Sequence, residues 1–174
     1  MPNIRPLALL RVSFIFLVPA SAVVVSFGGC GQAASEAPAF LASVDPTLIK
    51  RHGQLYFVND VRTGCQIAAQ DRMPCLFFFT ADWCTFCHHM AATAFLEPAV
   101  GELGRSFVCI LVDADRESEL CRYFSVTGYP TVEFVSPDGH SLHRLVGQQS
   151  PTSIVAGMRA ALGRYAWVSD LRSK

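Results

Sequence analysis

Two cysteines three residues apart, Cys84 and Cys87, stand where an apolar run gives way to a helix start in Phe77-Phe78-Phe79-Thr80-Ala81-Asp82-Trp83-Cys84-Thr85-Phe86-Cys87-His88-His89-Met90. Thiols at this spacing can close a small disulfide loop with modest strain. The first of them meets the unpaired N–H groups and positive dipole end of a helix, which favour a thiolate. Cys84 is therefore the candidate nucleophile and Cys87 the resolving thiol. Attack by Cys84 on a substrate disulfide gives a mixed disulfide, and Cys87 then releases it while the pair becomes oxidised. Asp82 and His88 are the candidates for tuning the thiol pKa values, and an imidazolium in the first helical turns lowers a thiol pKa further.

The same residues also spell C-x-x-C-H, a haem attachment signature, and Cys84, Cys87 and His88 offer soft donors for copper or zinc. Haem would cover the thiols and leave the preceding strand without purpose, and no fourth metal ligand is apparent nearby. The expectation is a redox-active dithiol without metal or other cofactor, and a copper chaperone or other binding module is the competing class. For His89 the expectation is a solvated helix face, and for His52, His140 and His143 polar surface.

Positioning this pair requires strands and helices in alternation. Leu55 to Val58 is expected as the first strand. A helix capped by Asn59 or Asp60 follows to about Arg72, with Val61, Cys65, Ala68 and Ala69 facing inward. Cys75 to Thr80 and Phe107 to Val112 read as continuous apolar strands covered on both faces. The helix carrying Cys84 is expected to run to about Gly104, broken or kinked at Pro98. Asp113 and Asp115 end the second apolar strand and cap a short helix from Glu117 to Phe124. Strand, helix and strand in this order imply a parallel crossover.

A proline at the head of the next strand, in Thr127-Gly128-Tyr129-Pro130-Thr131, cannot donate to a ladder and is a position where a cis bond has meaning. Pro137-Asp138-Gly139-His140 predicts a hairpin leading into a strand from Leu142 to Val146. Ser150-Pro151 starts a last helix with Ile154, Val155, Met158, Ala161 and Leu162 inward.

The chain has 174 residues, 51% of them hydrophobic, with Lys+Arg 14 balanced by Asp+Glu 14. One compact domain is the expectation, and no basic stripe exists to bind nucleic acid. Of the seven cysteines, Cys109 reads as an inert core thiol. Cys65, Cys75 and Cys121 leave room for a second disulfide of undetermined connectivity.

Residues 1–29 read as an export leader, with Arg5 and Arg11 preceding an apolar stretch from Val12 to Phe27. Ser26-Phe27-Gly28-Gly29-Cys30 resembles a bacterial lipoprotein signal, which would make Cys30 the lipid-bearing residue. Phe27 departs from the aliphatic residue usual there. Cleavage after Ala20-Ser21-Ala22 and an uncleaved anchor are the alternatives. Each places the remainder outside the cytoplasm, where disulfide chemistry is at home, and the expected location is periplasmic and membrane-anchored. The expected organisation is a leader over 1–29, a tether over 30–44, a domain over 45–163 and a frayed tail over 164–174.

Ala81-Asp82-Trp83-Cys84-x-x-Cys87, Asp113-x-Asp115, Gly128-Tyr129-Pro130-Thr131 and Gly147 before a helix together resemble the thioredoxin superfamily. The likeness is strongest to the C-terminal domain of DsbD-type reductases and related thioredoxin-like lipoproteins. It implies an α/β thioredoxin fold, a mixed central sheet flanked by helices on both faces. It also implies a thiol-disulfide oxidoreductase in which Pro130 is a cis-proline. Trp83, Thr127, Gly128, Tyr129 and Pro130 would contact an extended client segment. The implied partners are client protein thiols and disulfides, with a membrane or thioredoxin-like electron donor. Two departures stand out. Phe78 occupies the position of a buried acid in that family, and Thr85-Phe86 replaces Gly-Pro between the cysteines.

Overall fold

In this computed structural model the described residues are 36–172. The leader, the proposed lipidation site Cys30 and the start of the tether lie outside them. A short 3-10 turn, Ala39–Ser43, buries Leu41, and a second one, Pro46–Leu48, is capped by Asp45, whose carboxylate accepts from Thr47 N–H at 2.9 Å. The folded part thus begins near Ala39 rather than at residue 45, because Leu41 and Val44 pack with Val58 in an apolar cluster.

Strand β1 (Ile49–His52) then pairs antiparallel with β2 (Leu55–Val58). The sequence reading missed β1 and took β2 as the first strand. β1 is a half-exposed edge strand, and its only continuous signal is the Gly53 turn at φ +60°. Helix α1 (Val61–Asp71) follows, with Asp60 capping Thr63 N–H at 2.7 Å. Its buried positions are Gly64 and Ala68, whereas Cys65 and Ala69, expected inside, are exposed.

Strand β3 (Cys75–Thr80) ends at the cysteine-bearing helix α2 (Thr85–Thr93). That helix does not continue to Gly104. A 3-10 turn, Ala94–Leu96, intervenes, and Pro98 opens a separate helix, α3 (Pro98–Gly104). Proline is well tolerated at a first helical position, where its missing N–H would be unpaired anyway. Strand β4 (Val108–Asp113), helix α4 (Ser118–Tyr123), strands β5 (Thr131–Val135) and β6 (Ser141–Val146) and helix α5 (Pro151–Arg172) complete the chain. Residues 164–172 extend α5 instead of fraying, and Tyr165 Oη–H donates to Arg72 O at 2.6 Å.

The six strands are ordered β1-β2-β4-β3-β5-β6. β4 runs parallel to β2 and β3, and the other pairs are antiparallel, so the sheet is mixed. Alternation along β3 sends successive phenylalanines to opposite faces. Phe78 meets Phe57 and Phe95, with ring centroids at 5.8 and 5.1 Å, on the face that receives the turn after α2. Phe77 and Phe79 meet Phe124 beside α4, at 5.6 and 5.8 Å, on the other face. In-register neighbours share a face, so α1 over Ile110 joins α4, and α5 over Leu145 joins the α2 side. Helices cover both faces, which is why β3 and β4 are apolar without alternation.

Candidate active site

Cys84 and Cys87 form a disulfide at the end of β3. Cys84 N–H donates to Ala81 O at 3.0 Å, closing the turn that delivers the sulfur to the N-cap of α2. There Cys84 Sγ accepts from Cys87 N–H at 3.1 Å. In the reduced form the same donor would face the Cys84 thiolate, together with the helix dipole. The sulfurs are shielded: Cys84 is 5% exposed and Cys87 1%. Around them Trp83 is 64% exposed and Phe86 63%, an apolar rim on an otherwise polar edge.

Trp83 is held in place. Its indole N–H donates to Asp115 Oδ2 at 3.1 Å, and its ring meets Tyr129 edge-on at 5.7 Å. This contact carries the β3–α2 turn to the Thr127–Pro130 loop, where the Tyr129–Pro130 peptide bond is cis. Two bonds support that loop from behind. Thr131 Oγ–H donates to Gly128 O, and Gly147 N–H donates to Pro130 O, both at 2.8 Å. Tyr129 is pushed up to about 12, first by burial and then by the neighbouring Cys121 thiol.

Behind the disulfide, on the α2 face of the sheet, a cleft of about 330 Å³ opens beside Cys87. Asp82, His88, Phe78 and, unexpectedly, His52 line it, together with Lys50, Asp113 and Arg116. His88 turns its ring back onto the chain, Nε2 lying 2.9 Å from Asp82 O. His52 is not surface decoration but packs edge-on against Phe57 at 5.7 Å. Burial holds it below the ordinary imidazole range, helped by His88 and Lys50 nearby. Phe78, in contrast, presents only an apolar ring there, buried and packed against Phe57 and Phe95.

Sequence reasoning also passed over a buried ion pair. Glu133 in β5 is 0% exposed, accepts from Ser141 Oγ–H and pairs with Arg144 of β6. The Arg144 guanidinium continues to Phe124 O at 2.6 Å. Phe124 precedes the Thr127–Pro130 loop and β5 follows it, so one cation ties both ends of the loop. A lone Glu opposite an Arg in a strand pattern announced this only once the β5–β6 register was known. Elsewhere, Asp113 Oδ1 accepts from Asp115 N–H at 3.0 Å, a turn that aims Asp115 at Trp83. Among the described residues no group of three or more His, Cys, Asp and Glu is placed to hold a metal ion.

A mixed sheet carrying a helix-capping cysteine pair beside a cis-proline loop defines a thioredoxin-fold dithiol protein. The thioredoxin family model matches residues 62–160, and the chain belongs to that family. The thiol:disulfide interchange protein DsbD of Vibrio vulnificus is 30% identical over 96 residues, 52% of this chain and 16% of that protein. The chloroplastic thioredoxin-like protein CITRX1 of Nicotiana benthamiana is 38% identical over 72 residues, 41% of this chain and 39% of the relative. The chain therefore spans well under half the length of these relatives. Two solved structures share the fold. DsbH oxidoreductase has a TM-score of 0.55 at 22% identity, covering 71% of this chain and 92% of that one. A Thermus thermophilus thioredoxin has a TM-score of 0.54 at 23% identity, covering 58% and 82%.

Proposed function

We propose that this protein is an extracytoplasmic thiol-disulfide oxidoreductase working as a disulfide reductase, tethered to the membrane through its N-terminal segment. The observation that carries the chemistry is the Cys84 sulfur at the N-cap of α2, accepting from Cys87 N–H while shielded below an apolar rim. A sulfur so placed is stabilised as thiolate and reached by a client that docks on Trp83, Phe86 and the Thr127–Pro130 loop.

In the reduced protein, the Cys84 thiolate attacks one sulfur of a client disulfide. A Cys84–client disulfide forms and the other client sulfur leaves as thiolate, taking a proton. Cys87 then loses its proton and attacks Cys84, releasing the second client thiol and closing Cys84–Cys87. The proton of Cys87 leaves on the side of the solvent-open cleft. His52, which lines the same cleft as Cys87, is the acceptor, taking the part that an acid at position 78 plays in the family. No cofactor beyond the dithiol takes part. The electrons return from a membrane partner or a thioredoxin-like domain, a reading supported by the likeness to DsbD. An outside location is supported by the leader-like N-terminus; among the described residues no helix is long and apolar enough to cross a membrane.

The test is the reduction potential of the Cys84–Cys87 pair, together with trapping by Cys87→Ser. A value near about −270 mV and a Cys84-linked client adduct are expected of a reductase. A value near about −120 mV would assign the opposite electron flow. Turnover that survives Cys84→Ser would refute the nucleophile.

A further inference from the structure

Outside the active pair, the described cysteines Cys65, Cys75, Cys109 and Cys121 are free, and two of them, Cys65 and Cys75, line the same cleft. Cys65 sits on the exposed side of α1, Cys75 begins β3, and both side chains face one cleft. Both line a cleft of about 190 Å³ between α1, α4 and the β5–β6 turn, walled by Phe77, Leu120, Tyr123 and Phe124. Cys65 stands at the exposed rim of the cleft and Cys75 is buried within it, so a small disulfide reaches Cys65 from solvent.

The two sulfurs are unequal, as a working dithiol requires. Cys65 is exposed and Cys75 buried. The neighbouring Cys75 thiol lowers the Cys65 thiol to about 7, while Cys65 and burial push Cys75 up. Cys109, pushed up to about 12 by complete burial, has no comparable route to reaction.

We propose that Cys65 and Cys75 are a second redox-active dithiol, oxidised by low-molecular-weight disulfides entering the α1–α4 cleft to a Cys65–Cys75 disulfide that staples α1 to β3. The Cys65 thiolate attacks the small disulfide, forming a mixed disulfide and expelling one thiolate, which is protonated. Cys75 then gives up its proton and attacks the Cys65 sulfur, expelling the second thiolate. Two protein thiols become one disulfide, and one small disulfide becomes two thiols that carry the protons away.

This pair is separate from the first. At about 3.3 Å per residue, β3 puts Cys75 roughly 17 Å from Thr80, with Cys84 beyond the following turn. Direct exchange between the pairs within one molecule is excluded, so the second dithiol reports the small-thiol pool independently of client turnover.

The experiment uses the full chain carrying Cys84→Ser and Cys87→Ser, incubated with oxidised glutathione at neutral pH without denaturant and mapped by peptide mass. A Cys65–Cys75 crosslinked peptide is expected, with loss of two of the five remaining thiols and recovery on adding dithiothreitol. Adding Cys75→Ser should stop the reaction at a glutathione adduct on Cys65. The wild-type chain should show the same crosslink beside Cys84–Cys87, so the result does not depend on the variant's folding. Retention of all five thiols, or glutathione held on Cys65 with Cys75 still free, would overturn the proposal. A crosslink formed by an oxidised protein but not by glutathione would overturn the small-molecule assignment.

Discussion

Replacing Arg144 by Leu should both destabilise the domain and loosen the client loop. Glu133 is fully buried, and among the described residues its carboxylate is held by Ser141 Oγ–H and the Arg144 guanidinium. Removing the cation strands that carboxylate, and loss of one partner of a buried pair costs about 3–5 kcal/mol. Arg144 is itself about one-third exposed, at 34%, so solvent softens the loss and the lower end, about 3 kcal/mol, applies. For a domain of this size that is about 12 °C in melting temperature, measured by circular dichroism, or a matching shift in urea midpoint. The bond to Phe124 O disappears as well, so client kcat/KM should fall several-fold even at temperatures where the variant is folded. The control is Glu133→Leu combined with Arg144→Leu. Replacing both charges by apolar groups of similar size removes the stranded carboxylate, so much of the stability should return. The loop defect should persist, because Phe124 O still lacks its donor. A cost below about 1 kcal/mol for Arg144→Leu, or a double variant less stable than the single one, would refute the reasoning.

Gly53→Ala should cost on the order of 1–3 kcal/mol, read by denaturation, because the residue sits at φ +60° and an added Cβ would lie 2.3 Å from Phe95 O. Asp115→Ala should leave stability within about 0.5 kcal/mol, since the bond it removes is exposed, yet raise the KM for a client disulfide by freeing Trp83. His52→Gln should slow release of the mixed disulfide on the order of 10-fold, below the 10²–10⁴ of enclosed bases because the cleft is open, as stopped-flow after a single turnover would show. His52 also binds its proton less readily folded than unfolded, so its contribution is intact above pH of about 6.5 and is lost as pH falls toward its folded value. Urea midpoints between pH 7 and 5 should therefore fall less for the variant than for the wild type, and equal slopes would remove His52 from the account.

The parts of this fold that could be seen in the sequence are those whose signal is local. The continuous apolar runs of β3 and β4, the Pro137–Gly139 turn and the Asp60 cap each state their structure within a few residues. β1 escaped because Ile49-Lys50-Arg51-His52 has no apolar stripe and is held by pairing with β2. The extension of α5 escaped for a related reason, since what holds Tyr165 is a carbonyl of Arg72, far away in the chain. The helical spacing of Cys65 was read correctly as periodic but assigned to the wrong side, because Gly64 is the residue that lets α1 approach Ile110.

The site divides along the same line. Cys84, Cys87, Trp83 and the Tyr129–Pro130 loop are written as motifs, since close backbone geometry demands particular residues at fixed spacing. The proposed proton path is not written that way, because a group that accepts a proton needs only to border the cleft, and any strand lining it can supply one. Phe78 closes the position on β3 from which an acid would reach Cys87, packing instead with Phe57 and Phe95. Once that position is apolar, the cleft must draw its titratable groups from its other walls, and the β1–β2 hairpin brings His52 there against Phe57. The unrecognised edge strand and the unrecognised site residue are thus one omission: without β1, no residue of the N-terminal segment could be placed behind the disulfide.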